Sequence, residues 1–495
     1  MMRTLTNRRL SAPLRVGLLG VLLVVGVVLA AQPVTVGDPS WVGGSSGGSD
    51  QRRDADVIPA VAYDPTTRQY LAVWLSPRRA DSSGDGLDLI GVFLNQQGQP
   101  ASAPFYISDN NNVARNARPA VAAAPSGRFA VAWTIRGRPC RIAAELVTSP
   151  VNQPDKVLLA DTADVHAPDL IYQPSRQNFL LAFSRGEDYL PPKLMGANTA
   201  DCGDNGASTA RVELAEFAFI NSVPMASRRI VLSGAHGAFR PRLARDLSTG
   251  TLLVVWEDRR AGSAEQPYRF DVYAQRLAAD LSLQGSNIPL ATESHYFLED
   301  DSATWTPRPA LAGSNFGFLV AWFDHQPQGE AHRWAIVSRF VSSTGVPGAP
   351  FEVARTTYNE EHLGNAPSGT LVVVHRQAAG EYLVGFTLYT ESFLGYVSSA
   401  LAQRVNVAGQ LLRVDGSVLS EAGVGRSVDY SGDDQVFIAL AANPNSGPGT
   451  SDVLLLYSKQ RPGGHSRDME IFGARLIYPG TAYHYTMLPV TLRPR

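Results

Sequence analysis

The chain has 495 residues, of which 44% are hydrophobic and 18% charged, a balance that excludes an intrinsically disordered polypeptide. Its 43 basic and 45 acidic residues give a formal net charge of -2, which excludes the strongly basic footprint of a non-specific nucleic-acid binder. Two cysteines are too few for a disulfide-rich scaffold.

In chain order, a targeting pattern comes first. Arg3, Arg8, Arg9 and Arg15 form a positive segment, and Val16 to Ala31 is an apolar run with a small-residue end. This is the layout of an export signal over 1–31, with cleavage expected near Ala30 or Ala31. The run falls short of the about 20 residues a membrane span needs, and an uncleaved anchor is the alternative. No later stretch is long and apolar enough to span. The expected location is secreted, cell-surface or periplasmic. Residues 32–56 read as a short strand at Val34 to Val36 followed by a Gly/Ser-rich flexible linker.

From residue 57 onward the chain repeats itself. An apolar run ends in an aromatic at Trp74, Trp133, Phe183, Trp256, Trp322, Phe386 and Tyr457, at intervals of 50 to 73 residues. A second strand follows each: DLIGVFL, RIAAELV, RVELAEF, DVYAQRL, AIVSRFV, SALAQRV and EIFGARL. A strand of small residues precedes each aromatic run, opening on Pro59, Pro119, Pro168, Pro241 and Pro309 in five copies. Proline is tolerated at a strand's first residue because no ladder donor is lost there. A weaker fourth strand, such as RIVLSG or FEVART, closes each unit. Four strands per unit with this period and no helical pattern predict a propeller.

The pattern from Pro241 to Leu277, with LVVWEDRR and DVYAQRL, resembles repeats of secreted bacterial β-propeller proteins. The resemblance covers most of the chain after the signal and implies a fold without implying an activity. Sialidase-type propellers carry a Ser-x-Asp-x-Gly-x-x-Trp turn; the nearest stretch here, DDSATW ending at Trp305, lacks the glycine, so no sialidase residues are carried over. The expected fold is all-β: a single β-propeller over 57–495 of about seven four-stranded antiparallel blades, with six or eight also consistent. The last blade has two candidate outer strands, one in YTMLPVTL near the C-terminus and one in the N-terminal PVTVG.

With strands A to D counted outward from the axis, the B–C and D–A loops share one face and vary most in length, which marks that face for binding. The residue before the inner-strand proline stands at the channel rim. It is arginine at Arg118, Arg240 and Arg308, with His166 close by in the third unit. Fixed guanidinium donors suit an anionic ligand. The alternative is that these arginines pair with acids such as Asp164, Glu299 or Asp300 and tie loops together. Asp81, Ser83, Asp85 and Gly86 resemble part of a calcium loop but read as a solvated acidic turn. The histidines, His375 among them, lack metal spacing, so neither a metal site nor a cofactor is expected. Asp258, Asp271 and Asp324 could serve a glycosidase as acid and base, but the first two flank Arg259 and Arg260 and suit intrablade ion pairs better. Cys140 and Cys202 lie in B–C loops of adjacent units and could form one bridge in an oxidising compartment.

No catalytic constellation can be named. The expectation is therefore a monomeric, exported, non-catalytic propeller. It would bind an extracellular glycan, an anionic small molecule or a protein partner on its loop-rich face, without nucleic acid. The alternative is a glycoside hydrolase or lyase acting on polysaccharide.

Overall fold

The computed structural model describes residues 35–36, 40–44, 58–77, 87–114, 118–150, 156–186, 202, 210–262, 269–292, 307–328, 331–355, 370–377, 379–392, 395–412, 426–427, 435–444, 451–460 and 469–477. Strands and turns account for all regular structure among them. The export segment and most of the linker fall outside the described residues, as do YTMLPVTL and the Asp81–Gly86 loop.

Seven inner strands form the axis: Pro59–Asp64, Ala120–Ala124, Val165–Gln173, Ala238–Arg245, Ala310–Ser314, Leu371–Arg376 and Gln435–Ala442. Each packs against the next, and the seventh packs against the first. The ring is therefore closed and has seven members. From each inner strand the chain runs outward through antiparallel neighbours, so every blade is a meander. Small side chains predominate near the axis because the inner strands converge there. At Gly313 an added Cβ would lie 1.9 Å from the Arg245 carbonyl oxygen of the neighbouring inner strand, so only glycine fits.

The N-terminal segment closes the circle. The third strand of blade seven, Met469–Ile477, pairs on one side with Ser451–Gln460 and on the other with Thr35–Val36 and Ser40–Gly44. Residues 40–44, which read in sequence as the start of a linker, are thus an outer strand. Pairing with a preformed sheet edge satisfies backbone groups that the Gly-rich composition alone gives no reason to order.

The core lies between blades. The seven repeat aromatics are at most 3% exposed. Each shares a hydrophobic cluster with the blade before it: Trp133 with blade one, Phe183 with blade two, Trp256 with blade three, and so on round to Trp74 with blade seven. Trp256 also donates its indole N–H to Asp258 Oδ2 at 2.7 Å. Short-range polar contacts stitch the turns. The Asp64 carboxylate accepts from the Thr66 amide at 2.9 Å and, across to blade two, from the Gly127 amide at 2.6 Å. Burial raises the Asp64 pKa, these bonds lower it, and the bonds prevail.

Cys140, just before the third strand of blade two, is bonded to Cys202 of the blade-three loop, with Cα atoms 5.5 Å apart. The bridge joins the B–C loops of neighbouring blades on one face. In the chain-entropy model a closed loop of this length contributes on the order of 4 kcal/mol.

Two expectations follow. Trp256→Ala is expected to lower unfolding free energy by about 3–5 kcal/mol in denaturant titration, and a loss near zero would contradict inter-blade burial. Thiol titration of the unfolded, unreduced protein is expected to find no free cysteine; two free thiols per chain would refute the bridge.

Candidate functional site

Blades three, four and five start their inner strands in the same unusual way. The residue before the proline lies in the left-handed region: Ala167 at φ 52°, Arg240 at 48° and Arg308 at 43°. For residues with a Cβ this conformation costs roughly 1–2 kcal/mol, so something must hold it. The preceding blade supplies the hold, always from the residue after its aromatic. Thr134 Oγ1 accepts the Ala167 amide at 3.3 Å, Ser184 Oγ the Arg240 amide at 3.1 Å, and Glu257 Oε1 the Arg308 amide at 2.8 Å. In blades three and four the ladder slips here, between His166 and Asp169 and between Phe239 and Arg242. Pro168 and Pro241 therefore sit inside longer strands, at bulges, rather than at first residues; a bulge is the other place where a missing donor costs nothing.

These bulges gather charge at the start of the inner strands. Arg118 is subject to the charges of Arg242 and Asp169, and Arg308 to those of Arg240, Glu257 and Arg242. The three rim arginines expected from sequence thus join one cluster, with Arg242, Asp169 and Glu257 as members that sequence reading missed. One signal was present: Asp169 and Arg242 both directly follow the repeat proline. The side chains of Arg118, Arg242 and Arg308 stay half-buried although the blades enclose them. Arg118 and Arg308 stand two residues before the inner strands Ala120–Ala124 and Ala310–Ser314, and Arg242 stands within Ala238–Arg245. Burial first, and neighbouring guanidinium charge second, lower Arg118 to about 9 and Arg308 to about 10. Both remain charged at neutral pH.

Glu257 organises one half of the cluster. It is fully buried, its Oε2 accepts from Arg240 Nη1 at 2.8 Å, and its Oε1 holds the Arg308 amide. Asp169 organises the other half, accepting the Leu243 amide of the next blade at 2.7 Å. Burial raises the Asp169 pKa more than Arg242, the Leu243 amide and Arg118 lower it.

Other expected residues lie elsewhere. His166 is buried in its own blade with Nε2 3.2 Å from the Gly186 carbonyl oxygen, and it shares no contact with the arginines among the described residues. Asp164 does not pair with a rim arginine; its carboxylate accepts the Cys140 amide at 2.6 Å. Glu299 and Asp300 fall outside the described residues. Asp258 pairs with Arg260 at 2.6 Å and Asp271 with Arg269 at 3.4 Å, the intrablade arrangement. His375 is buried against the Tyr382 ring, and burial pushes its pKa down to about 4. Among the described residues no group of three or more metal-ligating side chains converges.

No protein-family model matches the sequence, and no curated protein matches it. Solved structures do. The chain is similar to a Trypanosoma rangeli sialidase at 9% identity and TM-score 0.40, over 78% of this chain and 57% of the sialidase, so it spans little more than half of that protein. It is similar to a Penicillium chrysogenum alpha-L-arabinanase at 13% identity and TM-score 0.40, over 73% and 92% of the two chains. A third is the NanB sialidase of Streptococcus pneumoniae, at 9% identity and TM-score 0.41, over 88% and 70%.

The expectation of a non-catalytic binding propeller is corrected here: the solved structures that the chain resembles are named as sialidases and an arabinanase, a likeness of fold at 9–13% identity. Asp169 is the physical reason within the site. A carboxyl set among arginines weakens a plain anion trap but supplies a group that can carry a proton.

Glu257→Ala is expected to destabilise the protein by about 1–3 kcal/mol, because half-buried Arg240 loses its ion pair with a buried carboxylate and the Arg308 amide loses its acceptor. Glu257→Gln, which keeps acceptor and shape, is expected to cost less. Equal melting temperatures for wild type and Glu257→Ala would refute the role.

Proposed function

We propose that the chain is an exported enzyme that cleaves glycosidic bonds of a polysaccharide at the mouth of its central channel. The observation that carries this reading is the Asp169 carboxyl, fixed by the Leu243 amide within the charge field of Arg118 and Arg242. Hydrolysis and elimination share one requirement, a proton delivered to the leaving sugar oxygen. A carboxyl whose pKa is raised by burial keeps its proton nearer to neutral pH than an exposed one, and this suits a general acid. The amide of Leu243 fixes one oxygen of Asp169 and so limits rotation of the carboxyl. Arginines around it stabilise negative charge developing on substrate oxygens without taking part in proton transfer. Partial burial of the cluster strengthens each charge interaction within it.

The test is turnover on a panel of plant, algal and bacterial polysaccharides, followed by reducing-end release and by ultraviolet absorbance of unsaturated products. Absorbance gain marks elimination, and reducing ends without it mark hydrolysis. Asp169→Asn keeps the acceptor for Leu243 and is expected to lower kcat by about 10²–10⁴-fold on any substrate found. No turnover across the panel, or an Asp169→Asn variant as active as wild type, would overturn the proposal.

A further inference from the structure

At the face opposite the bulges, the inner strands of blades three and four end against one another. Gln173 is the last residue of Val165–Gln173 and Arg245 the last of Ala238–Arg245. Four residues of strand, about 13 Å, separate Gln173 from Asp169. Gln173 is fully buried and Arg245 half-buried. Arg245 Nη1 donates to Gln173 Oε1 at 3.4 Å, and burial lowers the Arg245 pKa.

Elsewhere this chain uses one edge of the guanidinium to hold carboxylates. Arg176 holds Glu216, Arg185 holds Asp161, Arg260 holds Asp258 and Arg404 holds Glu381. Each does so through Nε and Nη2, bonded to the two oxygens of one carboxylate. Among the described residues the same edge of Arg245 has no hydrogen bond or ion pair. Its plane is set from the other side, by the neutral Gln173 oxygen on Nη1. Asp246, next in sequence, is taken up by its own turn, where one oxygen accepts the Ser248 and Thr249 amides at 2.9 and 2.8 Å. Gln173 Nε2 is a buried donor with no acceptor, which costs stability. An oxyanion at Arg245 would offer it one.

The surface beside Arg245 is apolar and uncharged. The turns that follow Arg245 and Gly313 are joined, since the Leu247 amide donates to the Ser314 carbonyl oxygen at 2.8 Å. Ser314 Oγ in turn accepts the Phe316 amide at 2.9 Å. On these turns Leu247 is 42% exposed and Phe316 68%. The residues between them and the strands, Ser248, Thr249 and Asn315, carry no charge.

We propose that Arg245 binds the carboxylate of a small amphiphilic organic acid, with Gln173 fixing the guanidinium and Leu247 and Phe316 receiving the acid's apolar part. A carboxylate is planar and accepts two parallel N–H bonds, which matches the open edge. Half-burial strengthens that charge contact relative to one in open water. Each methylene laid on Leu247 or Phe316 adds a favourable transfer from water. The site is separate from the glycan-cleaving site proposed above and does not depend on it.

The experiment is ligand-observed NMR titration of the full, oxidised chain with hexanoate, hexanamide and acetate. Hexanoate is expected to bind, acetate more weakly, and hexanamide not at all. Arg245→Gln is expected to weaken hexanoate binding by about 10- to 100-fold. Should that variant fail to fold, Arg245→Lys retains the charge and loses the fork, and it too is expected to bind more weakly. Phe316→Ser, at an exposed turn, is expected to weaken hexanoate by about 3- to 10-fold and to leave acetate unchanged. Asp169→Asn, at the other end of the inner strands, is expected to leave hexanoate binding as it is. Absence of hexanoate binding would overturn the proposal, as would hexanamide binding equal to that of hexanoate. Binding unchanged by both Arg245 substitutions, or unchanged by Phe316→Ser, would also overturn it. Loss of hexanoate binding in Asp169→Asn would place the anion at the opposite end and refute the site.

Discussion

Each blade buries one large aromatic side chain against the blade before it, and the rest of the molecule depends on that contact. Trp133 lies on blade one, Trp256 on blade three, and Trp74 on blade seven across the point where the chain closes. A four-stranded meander has two apolar faces and cannot cover either by itself. Stacking in a ring covers both faces of every blade, and seven blades bring the first against the last. The N-terminal strands then make the final blade part of one sheet with the beginning of the chain, so detaching the N-terminal segment from that blade breaks ladder hydrogen bonds.

The ring imposes a second condition at the axis. Inner strands approach so closely that Gly313 has no room for a Cβ beside the Arg245 carbonyl. Asp169, Arg240 and Arg242 sit where the ladder is interrupted. Bulges at Pro168 and Pro241 make that interruption, and Thr134 and Ser184 stabilise it from the preceding blade. Ser184 and Glu257 thus belong to the packing scheme and to the site at once. Their aromatic neighbours, Phe183 and Trp256, are anchored in the inter-blade core, so the hydrogen bonds that hold Arg240 and Arg308 in left-handed backbone are made by rigid partners. Strain at the channel mouth is offset by packing farther out, the arrangement expected where geometry serves chemistry.

Much of the fold was legible because propeller packing is periodic. The aromatic series recurs in every blade and the inner-strand proline in five of seven, and recurrence separates them from chance. The arginines before Pro119, Pro241 and Pro309 were legible for the same reason. His166 was misleading, since it occupies a similar place in the repeat but turns into its own blade to meet the Gly186 carbonyl. Asp169, Arg242 and Glu257 were not singled out because their importance comes from neighbours on other blades. Glu257 follows Trp256 where other blades carry Thr134 or Ser184, and nothing local marks it as the partner of residues 17 and 51 positions away.

The amino-acid sequence by itself determined the repeat, its strand order and the burial of its aromatics, because periodicity and side-chain size act locally and alike in every blade. Tertiary structure decided three things. It set the blade number at seven, since ring closure is a property of all blades together. It selected the N-terminal segment as the closing strand, since a Gly-rich stretch becomes a strand only when a sheet edge is presented to it. It also brought Arg240 and the Arg308 backbone to one carboxylate, because Glu257 lies on a neighbouring strand far from Arg308 in the chain.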